Sequence, residues 1–263
     1  MEQLRALVER SRGEDVPIKV LGQGANVLIS DDGFDGVVVR FDSPAFQKVE
    51  QQGERFHVGA GVELIPFSRR CSRRGYSGLE GMAGIPATVG GAVRMNAGGK
   101  FGEFGDAVRE VDVVTPMGER KTLSREEIGF GYRRSAIGEN LVVAAELELK
   151  EGDPAKTHQK FAECYAEKRR TQPLTEPSAG CIFKNPTGAS AGALIDRAGL
   201  KGTRCGGAKV SEKHANFIVT DAQAAASDVL RLIDLIRERV SREFQTDLET
   251  EIDIWRPRGG MRK

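Results

Sequence analysis

Gly81-Met82-Ala83-Gly84-Ile85-Pro86-Ala87-Thr88-Val89-Gly90-Gly91-Ala92-Val93-Arg94-Met95-Asn96-Ala97-Gly98-Gly99 decides how this chain is read. Six of its nineteen residues are glycine, several times the usual share. Arg94 is its only charge. So many small residues suit a flat, uncharged ligand wedged against backbone and held by main-chain hydrogen bonds. A pyrophosphate and an isoalloxazine ring would fit. A purely structural loop of this length and composition is uncommon.

On the N-terminal side, Leu4, Leu7 and Val8 recur at helical spacing and Gly13 follows as a stop. Pro17-Ile18-Lys19-Val20-Leu21 reads as a short buried strand and Val37-Val38-Val39 as another strand. Leu64, Phe67 and Cys71 share one helical face, with Gly75 as the cap. On the C-terminal side, Val108–Val114, Lys121–Leu123 and Leu141–Leu149 predict an antiparallel or mixed sheet. Asp153-Pro154 opens a helix that Pro173 ends. Beyond it come the Cys181 strand, a helix near 191–198, a strand over 215–219 and a helix over about 223–245. The fold class is α/β (α+β), with residues from about 171 to 246 forming a separate α/β domain.

The bulk numbers exclude several classes. The chain has 263 residues, 39% hydrophobic and 29% charged, with a formal net charge of +1. That balance gives no electrostatic case for a nucleic-acid or membrane-surface partner. Glycine is in excess, at 32 residues against roughly 18 for average usage. Without a fixed period it indicates neither collagen nor a linker. Cys71, Cys164, Cys181 and Cys205 match no common zinc spacing, and no metal is expected. The N-terminus lacks the apolar core of a signal peptide, and no apolar run approaches the roughly 18 residues that span a bilayer. A cytoplasmic protein, with its thiols reduced, is the expectation.

Four further segments carry candidate chemistry. Gly22-Gln23-Gly24-Ala25-Asn26 follows a strand and can form an anion-binding nest, or simply a tight turn. It is not the Rossmann fingerprint, which needs a glycine at Val27 and a long helix after it. Gly131-Tyr132-Arg133-Arg134-Ser135 offers a guanidinium fork for a carboxylate, or a surface arginine. Ala179-Gly180-Cys181-Ile182-Phe183-Lys184-Asn185-Pro186 places a thiol, a cation and an amide on one extended run. Alone, that run reads more readily as a core cysteine. Leu248–Trp255 alternates, so a strand there puts Glu249, Glu251 and Asp253 on one face, solvated or functional.

In their order, these motifs resemble one family, the UDP-N-acetylenolpyruvoylglucosamine reductases. The resemblance runs along nearly the whole chain. It also takes in Ala198-Gly199-Leu200-Lys201-Gly202 and Val210-Ser211-Glu212-Lys213-His214-Ala215-Asn216-Phe217-Ile218. It implies a two-part FAD-binding domain of the vanillyl-alcohol oxidase type, over 1–45 and 46–170, and a substrate-binding domain over 171–246. A C-terminal strand and tail, 247–263, would return to the active site. It implies FAD as cofactor, NADPH as reductant, a nucleotide-sugar substrate and a monomer. FAD would contact Gly22, Gly24, Ala25, Asn26 and Val27, and then Gly84, Ile85, Pro86, Thr88, Gly90, Gly91, Ala92, Asn96, Ala97 and Gly98. Arg133, Cys181 and Glu251 fall on the catalytic positions. Cys181 stands where the family has its proton donor, and Arg133 and Glu251 where it stabilises and polarises an enol carboxylate. Lys184, Asn185, Lys201 and His214 would line the substrate or its diphosphate.

The sequence departs from the family at three points. The proton donor is a thiol where a serine is common. An unperturbed cysteine titrates near roughly 8.5, and a thiolate cannot donate, so activity should fall at alkaline pH. Met1 begins almost at the first helix, where family members usually carry a further strand and glycine-rich segment, so part of the first FAD subdomain is expected to be missing. Ala25 sits where a serine is common. Two rival readings are an FAD oxidase of the same fold group, against which the Lys-Asn-Pro and His-Ala-Asn segments count, and a catalytically silent UDP-sugar-binding relative.

Overall fold

A computed structural model describes residues 1–258. Residues 259–263 of the expected tail lie outside the described residues. The chain divides into two compact units, one formed by Met1–Gln23 with Gly36–Glu167, the other by Gly24–Asp35 with Lys168 onward. Among the described residues, no helix is long and apolar enough to cross a membrane.

In the first unit, the helix Glu2–Gly13 buries Leu4 and Val8 as its spacing predicts. Ile18–Val20 pairs in parallel with Val37–Val39. A five-stranded antiparallel sheet follows, in the spatial order Arg120–Ser124, Val108–Val114, Leu141–Glu148, Arg55–Gly59, Val49–Gln52. Its central strand is buried along Leu141–Ala145 and at Leu147, so both faces are covered rather than one. The helix Val89–Met95 packs on that strand. The helix Leu64–Arg73 buries Leu64, Phe67 and Cys71, and burial pushes the Cys71 thiol up to about 12. Gly59 and Gly61 flank the buried Ala60; a Cβ on either would collide with the carbonyl oxygens of Phe46 or Phe41. Only glycine allows backbones this close.

The second unit holds a four-stranded antiparallel sheet in the order Ser178–Cys181, Phe217–Thr220, Ala208–Val210, Arg204–Cys205. The helix Ala226–Phe244 buries Val229, Leu232, Ile233, Ile236 and Val240. Its first turn is capped by Asp31, whose two oxygens accept from Ala226 N (2.6 Å) and Ser227 N (2.9 Å). These bonds hold the Asp31 carboxyl below the usual carboxylate range. Val27–Ile29 pairs in parallel with Asp253–Trp255. Residues Gly24–Asp35, grouped by the sequence reading with the N-terminal segment, therefore make their contacts within this unit.

The strand expected over Leu248–Trp255 forms only at Asp253–Trp255. The segment changes partner midway. Glu251 N donates to Ile182 O (2.8 Å), whereas Asp253 N donates to Asn26 O (2.9 Å), and Thr250 bridges Phe183. Changing partner resets the facing of the side chains. Glu249 and Asp253 stay exposed while Glu251 is half-buried, so the three acids do not share a solvated face.

Glu80 anchors the entry to the glycine-rich stretch. It is buried, yet it accepts from Ser77 Oγ (2.9 Å) and Gly78 N (2.8 Å) and pairs with Lys160 Nζ at 3.6 Å. Burial alone pushes this carboxyl up. The backbone N–H groups of Glu80 and Gly78, the Ser77 hydroxyl and the Lys160 ammonium outweigh it and hold the group below its ordinary value. A depressed folded-state pKa stabilises the fold above the unfolded value, about 4.3, and the contribution is lost as pH falls through the folded value. Glu80→Gln should therefore lower Tm at pH 7 by several degrees, from about 1–3 kcal/mol of lost charge-assisted bonding. The gap to wild type should close as the pH drops below about 4, as scanning calorimetry across pH would read.

Candidate functional site

The glycine-rich stretch begins with a tight turn. Gly84 takes a left-handed φ of +79°, and Ile85 N bonds Met82 O at 3.0 Å. Past Pro86 the backbone is stitched to the neighbouring loop: Leu64 N to Ala87 O (2.9 Å), Val89 N to Val62 O (2.9 Å) and Gly90 N to Ala60 O (2.8 Å). Thr88 then caps the helix, its Oγ1 accepting from Gly91 N at 3.3 Å. Ala92 is buried inside that helix, and Ala97 N closes back on Ala92 O at 2.9 Å. Asn96 ends the helix in a left-handed conformation, φ +44°. Its buried carboxamide donates to Glu103 Oε2 (2.6 Å) and Gly131 O (3.1 Å) and accepts from Gly105 N (2.9 Å). The Asn96 side chain thus fixes three loops. Gly98 O accepts from Arg133 Nη2 at 2.9 Å.

Arg133 sits in a turn closed by Gly131 N to Arg134 O (3.0 Å) and Arg134 N to Gly131 O (3.1 Å). Its own φ is +54°, at a turn position that glycine or asparagine normally takes. A left-handed backbone costs a non-glycine residue roughly 1–2 kcal/mol. The guanidinium also lies 5.3 Å over the Tyr132 ring. A strained backbone carrying a half-buried, tethered cation fits a residue held for function rather than for folding.

In the second unit the sheet carries a β-bulge at the thiol. Ser178 pairs with Val219 and Cys181 with Phe217, so the Cys181 strand has one extra residue. Gly180 absorbs it with φ +77°. Such a bulge bends the strand and re-aims the following side chain, here the half-buried Cys181. A Cβ on Gly180 would lie 3.1 Å from Ala25 O. Asn26 Nδ2 donates to Glu251 O at 3.2 Å, and Val27 opens the strand paired with Asp253. Ala25, Asn26 and Val27 therefore brace the segments bearing Cys181 and Glu251. Gly24 has φ +71° and open space at its Cβ position.

The expected substrate residues lie on the same unit. Lys184 Nζ pairs with Glu249 Oε1 at 2.5 Å and Lys201 Nζ with Asp196 Oδ2 at 2.7 Å. Asn185 Oδ1 accepts from Ala191 N at 3.0 Å, at the start of the helix Ala191–Arg197. His214 packs edge-on to Phe217, ring centroids 4.9 Å apart. Its Nδ1 is buried with no hydrogen-bond partner among the described residues. Burial holds this imidazole below its ordinary pKa against its own backbone bond, and the Lys201 charge lowers it further. It is neutral at pH 7, with a ring nitrogen to offer a ligand.

One polar residue in this region escaped the sequence reading. Asn216 is only 3% exposed. Its Oδ1 accepts from Phe183 N (2.9 Å) and its Nδ2 donates to Phe183 O (2.7 Å). An asparagine inside the apolar run Ala215–Val219 was the signal that could have found it. Among the described residues, no group of three His, Cys, Asp or Glu side chains could hold a metal ion.

The first unit's geometry can be tested against FAD. A Cβ on Gly22 would stand 2.8 Å from Thr88 Oγ1, and one on Gly90 2.9 Å from Ala60 Cβ. Backbone therefore comes to the surface where side chains would fill it. A cavity of about 160 Å³ opens there, lined among others by Gly22, Gln23, Arg40, Gly61, Glu63 and Thr88. The backbone of Gly22 and Gln23 and the Thr88 hydroxyl suit the polar parts of a dinucleotide. The Gln23 carboxamide and the Arg40 guanidinium beside them bond the lining carboxylates Glu63 (3.2 Å) and Asp42 (3.1 Å), exposed pairs that a ligand can exchange. The residues fit the group.

Comparison with known proteins agrees with this geometry. Residues 1–124 match a family described as FAD binding domain. Residues 172–255 match the UDP-N-acetylenolpyruvoylglucosamine reductase, C-terminal domain. UDP-N-acetylenolpyruvoylglucosamine reductase 2 of Symbiobacterium thermophilum is 41% identical over 96% of this chain and 82% of its own length. The reductase of Moorella thermoacetica is 42% identical over 97% and 84%. The crystal structure of UDP-N-acetylenolpyruvylglucosamine reductase from Thermus caldophilus superposes with a TM-score of 0.84 at 42% identity, covering 97% of this chain and 89% of that one. With both parts matched and relatives of this similarity along nearly its whole length, the chain belongs to the UDP-N-acetylenolpyruvoylglucosamine reductase family.

Proposed function

We propose that this chain is an FAD-dependent reductase that uses NADPH to convert UDP-N-acetylglucosamine enolpyruvate into UDP-N-acetylmuramate, in peptidoglycan precursor synthesis. The observation that carries this reading is the 41–42% identity to named reductases over at least 96% of the chain. The reading includes a cytoplasmic monomer with no nucleic-acid or membrane partner; the net charge of +1 supports the last part, giving no electrostatic pull toward either surface. It assigns 1–45 and 46–170 to FAD binding, 171–246 to the nucleotide sugar, and the segment from 247 to the active site.

When bound, the flavin supplies the hydride that the substrate's vinyl carbon accepts, and NADPH restores it. Gly22, Thr88 and the main chain of the glycine-rich stretch are the proposed holders of FAD. The protein's own groups then manage charge and proton. Negative charge grows on the substrate carboxylate as the double bond is lost, so a preorganised cation lowers the barrier. Arg133 is the proposed cation, its fork pre-aimed by the Gly98 carbonyl and the rigid turn. Glu251, withdrawn from solvent by its segment's change of partner, is the proposed polarising acid. Cys181 is the proposed donor of the proton that completes the product, its thiol aimed by the bulge at Gly180. The lysines, Asn185 and neutral His214 are proposed to hold the nucleotide diphosphate.

Four outcomes test this reading. The purified protein, supplied with FAD, should show flavin absorbance that NADPH bleaches and the enolpyruvyl sugar restores. A preparation that takes up no FAD would sink the proposal. Arg133→Lys keeps the charge but loses the fork, and should lower kcat about 10²-fold or more while NADPH bleaching stays near the wild-type rate. Cys181→Ala should slow sugar reduction by about 10²–10⁴-fold without slowing NADPH bleaching. Cys181→Ser should retain part of the turnover and lose the alkaline decline of the thiol enzyme. Unchanged turnover in the alanine variant would remove Cys181 from the chemistry.

A further inference from the structure

The backbone around Cys181 poses a problem that the ladder of its sheet does not solve. Cys181 pairs with Phe217, and Ile182 N donates to Asn216 O at 2.8 Å. There the pairing with the strand Phe217–Thr220 ends. On one side, the next residues take a new partner: Glu251 N bonds Ile182 O (2.8 Å) and Lys184 N bonds Glu249 O (2.9 Å). Phe183 N–H and C=O face the other side, where no strand continues among the described residues. Buried peptide groups left without partners would pull the segment out of place. Both bond to the single carboxamide of Asn216, at 2.9 and 2.7 Å. Only one orientation of the amide satisfies both, oxygen toward the N–H and nitrogen toward the C=O.

The Asn216 side chain thus acts as a substitute peptide unit. It extends the sheet by one rung at the point where the Cys181 strand changes partners. Two features lock it in place. Asn216 is buried beneath Gly192, whose added Cβ would come within 3.6 Å of Asn216 Cβ. The Phe183 ring is itself buried, with the Arg237 guanidinium 5.9 Å over it. Arg237 Nε also holds Leu248 O at 3.1 Å. The rung therefore sets the register of two segments at once, one carrying Cys181 and Lys184, the other Glu249 and Glu251.

We infer that Asn216 is a positioning residue for the protonation step, holding the Cys181 thiol on line through the Ile182–Phe183 backbone. This rests on the proposed role of Cys181 as proton donor. Asn216 touches no reacting atom. A misplacement of about 1 Å in such a donor can cost about 10²-fold in rate.

The test uses the FAD-loaded full chain and the enolpyruvyl sugar. Asn216→Ala should leave NADPH bleaching within about twofold of wild type and KM for the sugar nearly unchanged. It should slow the sugar-dependent reoxidation by about 10–100-fold and raise the solvent deuterium isotope effect on that step, as protonation becomes limiting. Deuterium exchange at the Phe183 amide should speed up in the same variant, a readout independent of turnover. Asn216→Asp keeps the acceptor for Phe183 N–H but loses the donor, and should fall between the two; it carries the test if the alanine protein does not fold. The double variant Cys181→Ala/Asn216→Ala should be no slower than Cys181→Ala alone. Additive losses, or an unchanged isotope effect in Asn216→Ala, would make Asn216 a residue of general stability and overturn the inference. If Cys181→Ala itself kept full turnover, the underlying reading of Cys181 would fail instead.

Discussion

Backbone hydrogen bonding at residues 180–184 is the constraint on which the second unit's chemistry rests. A strand in a sheet presents alternate side chains at fixed angles, and its peptide groups are satisfied by its neighbours. The proposed proton donor, Cys181, takes a different aim, and obtaining it breaks the ladder. The bulge at Gly180 supplies the new aim. The freed peptide groups then recruit partners from three places: Asn216 for Phe183, Glu251 for Ile182 and Glu249 for Lys184. Those partners place Glu251 beside the strand of the thiol. Satisfying the backbone and assembling the polar groups are one event, so a change at any of these bonds moves several of the proposed site side chains together.

Close approach does the corresponding work in the first unit. Gly59, Gly61 and Gly90 let main chains meet where any Cβ would intrude, so the loop around Ala60 and the stretch through Thr88 form one backbone surface. The buried Glu80 holds its entrance by trading the cost of a buried charge for several donors. Asn96 does so at the exit with a neutral carboxamide. Side-chain polar groups thus fix both ends, while between them the main chain is bonded to the loop around Ala60 through Val89 N and Gly90 N.

Much of this was legible in the sequence because it follows periodicity. The helical stripes through Leu64 to Cys71 and Val229 to Val240 translate directly into buried faces, and Val108–Val114 and Leu141–Glu148 form paired strands as read, though both faces of the latter are covered. Glycine clustering was read as close approach to a ligand, and at Gly59, Gly61 and Gly90 the partner that comes close is the protein's own main chain or Ala60. What failed to show was everything set by a change of partner. Leu248–Trp255 alternates convincingly, yet pairs first with Ile182–Lys184 and then with Asn26–Ile29, so one uniform strand was the wrong picture. Asn216 hid inside a strand-like run because its role depends on where another strand stops. Arg133 gave no sign of its left-handed backbone, since nothing local to arginine asks for one. The Asn26 carboxamide bond to the Glu251 carbonyl likewise had no local signal.

The lysines add a point about selectivity. Lys184 and Lys201 each lie against a carboxylate, Glu249 and Asp196, whose side chains are 73% and 51% exposed. Pairs this open are worth about 0–1 kcal/mol, so a ligand can take over either cation at small cost. A carboxylate already in place still competes, however, and a simple anion gains little by displacing it. A diphosphate gains more, because it can engage cations with two charged groups and is proposed to meet the uncharged Asn185 and half-buried His214 as well. In the proposed function, the acidic partners therefore act as a filter: they keep the lysines extended, lower the pull on stray anions, and yield to a ligand that brings several contacts at once.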